Sequence, residues 1–352
     1  MITLIVTVVA LLIIGAVLLE LTYRIYKWKT SFRTIYRKSN TPGLLFELRP
    51  NYKKIYKGED YEKKILYSTN KFGQRNPDFN IKEKGLKKIL IIGDSIAFGF
   101  GVDEQHTFPR VLEKILNKKK YQFRVINASV GTYNVIQDYY FIKHRAKYFK
   151  PEQIILCLNL SNLVSSSDWT YDEKKKYVTP KFPSAIRFKS NTKGPFGGKF
   201  SKVGKLLDKL YLYRFVIKPI LYKKTFKVKN YKLGNIDAVI KYEQIFKKYK
   251  NIQSRLNYLT KIKKETSKLN CKLKVIIFPQ TAQLENQFED IFLPQTAIKN
   301  YCRKNKIEVK DVAAYFKNIA KPAKYLYFDE VHLTTDGHRL VADYLANLFK
   351  IN

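Results

Sequence analysis

Ser95 stands where this 352-residue chain could do chemistry. It ends the stretch Ile89-Leu90-Ile91-Ile92-Gly93-Asp94-Ser95. An apolar run dominated by β-branched residues and closed by a turn residue reads as a strand buried on both faces, the kind found in parallel sheets. Such a strand delivers the residues after it to the carboxyl edge of the sheet, where open α/β folds place their ligands. A serine there can attack a carbonyl once a base takes its proton. The oxyanion that forms then needs hydrogen-bond donors. The plain alternative is a turn, since Gly, Asp and Ser are all turn formers.

Three distant stretches bear on that choice: Asn127-Ala128-Ser129-Val130-Gly131, Leu160-Ser161-Asn162 and Asp329-Glu330-Val331-His332. Asp329 and His332 are spaced so that one loop can carry both to the same sheet edge, just before a helix start at Thr335. With Gly93-Asp94-Ser95, the four blocks in this order resemble the SGNH (GDSL) hydrolase family, named for a catalytic Ser, an oxyanion-hole Gly and Asn, and a His. The resemblance implies that Ser95 is the nucleophile, that His332 takes its proton and returns it to the leaving group, and that Asp329 fixes the imidazole tautomer. It also implies an oxyanion hole built from Ser95, the Gly131 backbone N–H and Asn162. Leu163 departs from the family pattern, where Asp is common, and Asn159 is the alternative donor. His338 is the competing base; one turn into the closing helix, it is expected to be structural. Ser68-Thr69-Asn70-Lys71-Phe72-Gly73-Gln74-Arg75 resembles the Asn-x-x-Gly-x-Arg stretch before the first strand of anchored members; otherwise it reads as a turn. Gly99-Phe100-Gly101 suggests a dinucleotide loop, but the third glycine's place holds Glu104. His106 and His144 lack metal-ligand partners, so neither cofactor nor metal is expected.

Strands and helices alternate after residue 86. Strands are expected at Lys88–Ile92, Phe123–Ala128, Gln153–Leu158, Leu273–Phe278 and Ile307–Val312, with helices beginning near Thr107, Asn134, Ile236, Leu293 and Thr335. Alternation of this kind implies an α/β fold, a three-layer α/β/α sandwich around a mostly parallel five-stranded sheet. The resemblance supplies its order, 2-1-3-4-5. Residues 24–86 read as a basic flank and short β pieces leading into a hydrolase-like domain at 87–352. The stretch from about 164 to 233 breaks the rhythm and reads as an insertion or lid, whose tail, Leu206–Tyr222, has helical apolar spacing.

Ile2–Leu19 carries no charge, which is at the threshold for a membrane span. It lacks a basic opening and small residues at its end, so an uncleaved anchor over 1–23 is expected rather than a signal peptide. The basic, aromatic flank after it would place the domain on the cytoplasmic side by the positive-inside rule; the family resemblance implies the opposite side. The net charge of +38 is spread along the whole chain and reads first as compositional bias, then as affinity for an anionic surface such as lipid head groups; no nucleic-acid module is present. Cys157, Cys271 and Cys302 offer no disulfide framework. By resemblance the chain would be a membrane-anchored esterase acting on an acylated glycan or its lipid-linked precursor. A membrane acyltransferase is a candidate partner; the alternatives are an O-acyltransferase using the same site and a non-catalytic scaffold or glycan-binding partner in a membrane assembly.

Overall fold

The computed structural model describes residues 2–30, 32–57, 64–118, 122–163, 169–173, 177–180, 210, 251–285, 292–319 and 322–349. Two compact units form. One holds residues 1–34 and 186–231, the other 35–185 and 232–352.

Within the first unit, helix α1 (Ile2–Thr30) exposes apolar side chains from Ile5 to Tyr26. Its segment Ile5–Tyr26, 22 residues with a mean hydropathy of 2.6, is long and apolar enough to cross a membrane, since at 1.5 Å per residue it matches a hydrocarbon core of about 30 Å.

The second unit begins with four short strands, β1 (Tyr36–Lys38), β2 (Phe46–Leu48), β3 (Lys53–Lys57) and β4 (Lys64–Ser68). They form two antiparallel pairs, β1 with β2 and β3 with β4. Then come β5 (Lys87–Ile92), α2 (Ser95–Phe98), α3 (Phe108–Lys118), β6 (Phe123–Asn127), α4 (Val135–Phe149), β7 (Gln153–Leu158) and a hairpin of β8 (Trp169–Asp172) and β9 (Tyr177–Pro180). The remainder is α5 (Asn251–Lys268), β10 (Lys272–Ile277), α6 (Thr281–Glu285), α7 (Leu293–Lys304), β11 (Glu308–Asp311), α8 (Val312–Asn318), α9 (Ala323–Leu326) and α10 (Thr335–Leu348). The β8–β9 hairpin and Leu210 are what is described of the 164–233 stretch; its expected helix at Leu206–Tyr222 lies otherwise outside the described residues, as does the start of the helix expected from Ile236.

The central sheet runs β6-β5-β7-β10-β11 with every neighbouring pair parallel. That is the order 2-1-3-4-5. Alternate side chains leave opposite faces of a strand. Ile89, Ile91, Ile155, Cys157 and Ile276 pack with α3, α8 and α10 in one core. Their neighbours Leu90, Ile92, Ile154, Leu156, Val275 and Ile277 are equally buried and face the layer of α4 and α5. Two buried faces explain why these strands are almost unbroken apolar runs. Burying each such side chain is worth about 1.5–3 kcal/mol, so both helical layers are needed to cover the sheet. Cys157 thus serves as a small apolar core residue, and burial pushes its thiol well above the usual range.

The second unit begins at Ile35. Ile35, Tyr36, Phe46, Leu48 and Tyr67 are all buried, so the lead-in belongs to the core. Arg75, the arginine of the Asn-x-x-Gly-x-Arg stretch, is fully buried. Its guanidinium donates to the carbonyls of Phe98, Gly99 and Val102 and lies over the rings of Tyr67 and Phe98, 4.6 and 4.7 Å from their centroids. One planar cation with several N–H donors fastens the loop after Ser95 to the lead-in strands.

Candidate active site

Each chemical group sits at a carboxyl end of the central sheet. Ser95 opens α2 directly after β5. The turn before it requires Gly93, because a Cβ there would lie 2.7 Å from the Cys157 carbonyl oxygen on β7. Asp94 caps the short helix, its Oδ1 accepting the Ile96 N–H at 3.0 Å. Asp329 and His332 lie on the loop between α9 and α10, closed by a bridge between Tyr327 and Leu333. The Phe328 N–H donates to the His332 carbonyl at 3.1 Å. The cap of α10 is Thr334, one residue before the expected start, and its hydroxyl accepts the Gly337 N–H at 3.1 Å.

The structure brings Ser95, His332 and Asp329 together across 237 residues of sequence: His332 Nε2 is 2.9 Å from Ser95 Oγ. His332 Nδ1 is 2.6 Å from Asp329 Oδ2. The other carboxylate oxygen, Oδ1, accepts the backbone N–H groups of Val331 at 2.8 Å and His332 at 2.7 Å. Burial alone would raise the Asp329 carboxyl, but the His332 hydrogen bond and charge and these two N–H groups hold it below its ordinary value. An ionised carboxylate only accepts. The proton of the neutral imidazole therefore sits on Nδ1, and Nε2 is left to accept the Ser95 hydroxyl. That is the alignment a general base requires.

The oxyanion side differs from expectation. Asn162 is buried, and both hydrogens of its amide are committed, one to Asp94 Oδ2 at 3.2 Å and one to the Tyr133 carbonyl at 3.1 Å. Its Oδ1 accepts the Asn159 N–H at 2.6 Å. The Asn159 amide also donates to Asp94 Oδ2, at 2.5 Å. Both asparagines therefore hold the carboxylate that caps the Ser95 helix, and the Asn162 amide has no donor left for an oxyanion.

Backbone groups remain. The chain from Val130 to Tyr133 forms a β-turn closed by the Tyr133 N–H on the Val130 carbonyl at 3.0 Å, and the Val130 N–H donates to the Gly93 carbonyl at 3.0 Å, which sets the turn beside Ser95. Gly131 is its second residue and Thr132 its third, with φ of 71°. Positive φ at the third position is the type II pattern, normally met by glycine. A β-branched residue there is strained, and such outliers collect at functional sites. The N–H groups of Ser95, Gly131 and Thr132 have no acceptor among the described residues. Sequence reasoning missed Thr132 and the Asp94 carboxylate; the Asp of the Gly-Asp-Ser block was the one available signal.

If Asn162 acts by holding Asp94, Asn162→Ala will lower stability and kcat together. About 2–4 kcal/mol of stability is expected to go, since removing the amide strands several buried groups at roughly 1–3 kcal/mol each. A direct oxyanion donor would instead lose about 10²–10³-fold in kcat at nearly unchanged stability. Urea unfolding beside steady-state kinetics separates these outcomes.

His338 is no base. It is fully buried, stacked on Phe108, and its Nδ1 accepts the Phe108 N–H at 3.2 Å. Burial, assisted by the charges of Arg75, His332 and His106, lowers its pKa from 6.5 to about 3. A pKa depressed on folding gives stability that is fully present above pH 6.5 and is lost as pH falls from there towards about 3. Over that window the loss from this group is about 1.4 kcal/mol per pH unit. The slope of unfolding free energy against pH should therefore be shallower in His338→Gln than in the natural chain, and parallel slopes would contradict the buried neutral imidazole.

The strand order is the one the sequence resemblance implied. The fold is an α/β sandwich around a five-stranded parallel sheet. No family model and no curated protein matches the chain. Among solved structures it is similar to the acetyl xylan esterase AlAXEase (15% identity, TM-score 0.41, covering 74% of this chain and 99% of that one). It is similar to Axe2, an acetylxylan esterase from Geobacillus stearothermophilus (14%, 0.43, 76% and 95%). It is also similar to a putative lipolytic protein of the G-D-S-L family from Desulfitobacterium hafniense (12%, 0.39, 75% and 99%).

Proposed function

We propose that this chain is a serine ester hydrolase of the SGNH type, held at a membrane by α1, that removes acyl groups, foremost acetyl, from a saccharide. The observation that carries the reading is the unbroken hydrogen-bond path from Ser95 Oγ through the His332 imidazole to Asp329. Ser95 Oγ attacks the ester carbonyl as His332 Nε2 takes its proton. The Asp329 carboxylate stabilises the imidazolium. The tetrahedral oxyanion is received by the N–H groups of Ser95 and the Gly131–Thr132 turn. His332 passes the proton to the leaving alcohol oxygen, and an acyl-Ser95 ester remains. Water then attacks this ester, with His332 again as base, and the carboxylic acid departs. The sequence resemblance supplies the saccharide and the acetyl group.

The test is acetate release from an O-acetylated polysaccharide by the full chain in detergent, beside Ser95→Ala. Release by the natural chain and none by the variant is expected. Release unaffected by the substitution would overturn the reading. The chain should be kept whole or cut before Ile35, so that β1 (Tyr36–Lys38) is retained.

A further inference from the structure

We infer that Phe100 and Phe328 form the subsite for the alcohol half of the ester, and that this alcohol presents a flat apolar face, as a sugar ring does; the inference rests on the hydrolase reading. In a serine–histidine mechanism the imidazole that took the serine proton hands it to the leaving oxygen. The alcohol must therefore lie against the imidazole. Side chains packed on that ring border the alcohol rather than the acyl group. Among the described residues two rings do so: Phe100, with its centroid 4.8 Å from that of His332 and tilted by 46°, and Phe328, at 5.8 Å and 16°. Both are half-buried, as are Ser95 and His332, so reactive groups and rings reach the surface together.

The seats of the rings are built into the backbone. The edge of the Phe328 ring occupies the place where a Cβ on Gly101 would stand, and Gly101 has φ of +85°. Any side chain at 101 would displace the ring. The Gly101 N–H donates to the Tyr67 hydroxyl at 2.7 Å, which fixes this loop against β4. The face of an aromatic ring carries partial negative charge. It attracts the weakly positive C–H groups that line one side of a pyranose, and a short acyclic alcohol offers few of these.

The experiment compares the full chain with Phe328→Leu and Phe100→Leu on two ester series. One keeps the acetyl group and changes the alcohol, from acetylated methyl glucoside to ethyl acetate. The other keeps p-nitrophenol and changes the acyl group, from acetate to butyrate. Each variant is expected to lower kcat/KM for the sugar acetate relative to ethyl acetate by up to about tenfold, the scale of one aromatic contact, while the acetate-to-butyrate ratio holds. A shifted acetate-to-butyrate ratio with a constant sugar-to-ethyl ratio would overturn the proposal by placing the rings on the acyl side. Two unchanged ratios would overturn it as well. Absence of Ser95-dependent turnover on every ester would defeat the hydrolase reading separately. The subsite is then decided by saturation-transfer NMR of acetylated methyl glucoside on Ser95→Ala: binding that weakens with Phe328→Leu supports it, and no binding overturns it.

Discussion

Ser95→Ala, His332→Ala and the double variant should lose the same activity, on the order of 10⁶-fold in kcat, because a nucleophile and its base act as one unit and their losses do not add. The 2.9 Å contact between Ser95 Oγ and His332 Nε2 is the physical ground for this. Without the imidazole the hydroxyl keeps its proton, and without the hydroxyl the imidazole has nothing to activate. What survives in every case is binding and the backbone N–H groups. Turnover of p-nitrophenyl acetate by the three variants, with thermal unfolding as a check on folding, provides the measurement. Losses that multiply in the double variant would mean that the two residues act independently.

Asp329→Asn should cost about 10⁴-fold in kcat, the scale seen when the orienting carboxylate of such a triad becomes an amide. The surrounding backbone dictates the outcome. Asp329 Oδ1 accepts N–H groups from Val331 and His332, so the amide oxygen of the variant must take that place. Its NH₂ then faces His332 Nδ1. Two donors cannot meet, and the imidazole is driven to the tautomer that carries its proton on Nε2. That tautomer cannot receive the Ser95 proton. Asp329→Ala imposes no tautomer and should be no worse than Asp329→Asn. Comparing kcat for the two variants checks this, and a clearly more active Asn variant would contradict the assigned tautomer.

Much of this was legible in the sequence because it rests on local pattern. Ile89–Ile92 is apolar on both faces of its strand and runs into Gly-Asp-Ser, so both the strand and the serine at its carboxyl end could be read. Asp329 and His332 share one loop ahead of a capped helix, so their meeting needed only that loop. The oxyanion side was not legible, since the direction of a side-chain amide depends on distant partners. Asn162 turns inward because the Asp94 carboxylate and the Tyr133 carbonyl, 68 and 29 residues away in sequence, lie beneath it. No pattern announces that Thr132 takes a positive φ; the closing bond of its turn and the neighbouring Gly93 carbonyl impose it. The lead-in strands could be read as short β pieces, but not their membership of the core. Phe46 is buried between Tyr36 and Tyr133, the latter 87 residues onward, and the Tyr133 hydroxyl donates to the Phe46 carbonyl at 2.7 Å.

The central claim is that Ser95 is a nucleophile made reactive by His332. It is tested most directly by treating the full chain with a fluorophosphonate and locating the adduct by peptide mass spectrometry. One adduct is expected, on Ser95, and its formation should collapse in His332→Ala while the fold is retained. An adduct on another residue, or labelling of Ser95 at the same rate without His332, would contradict the account.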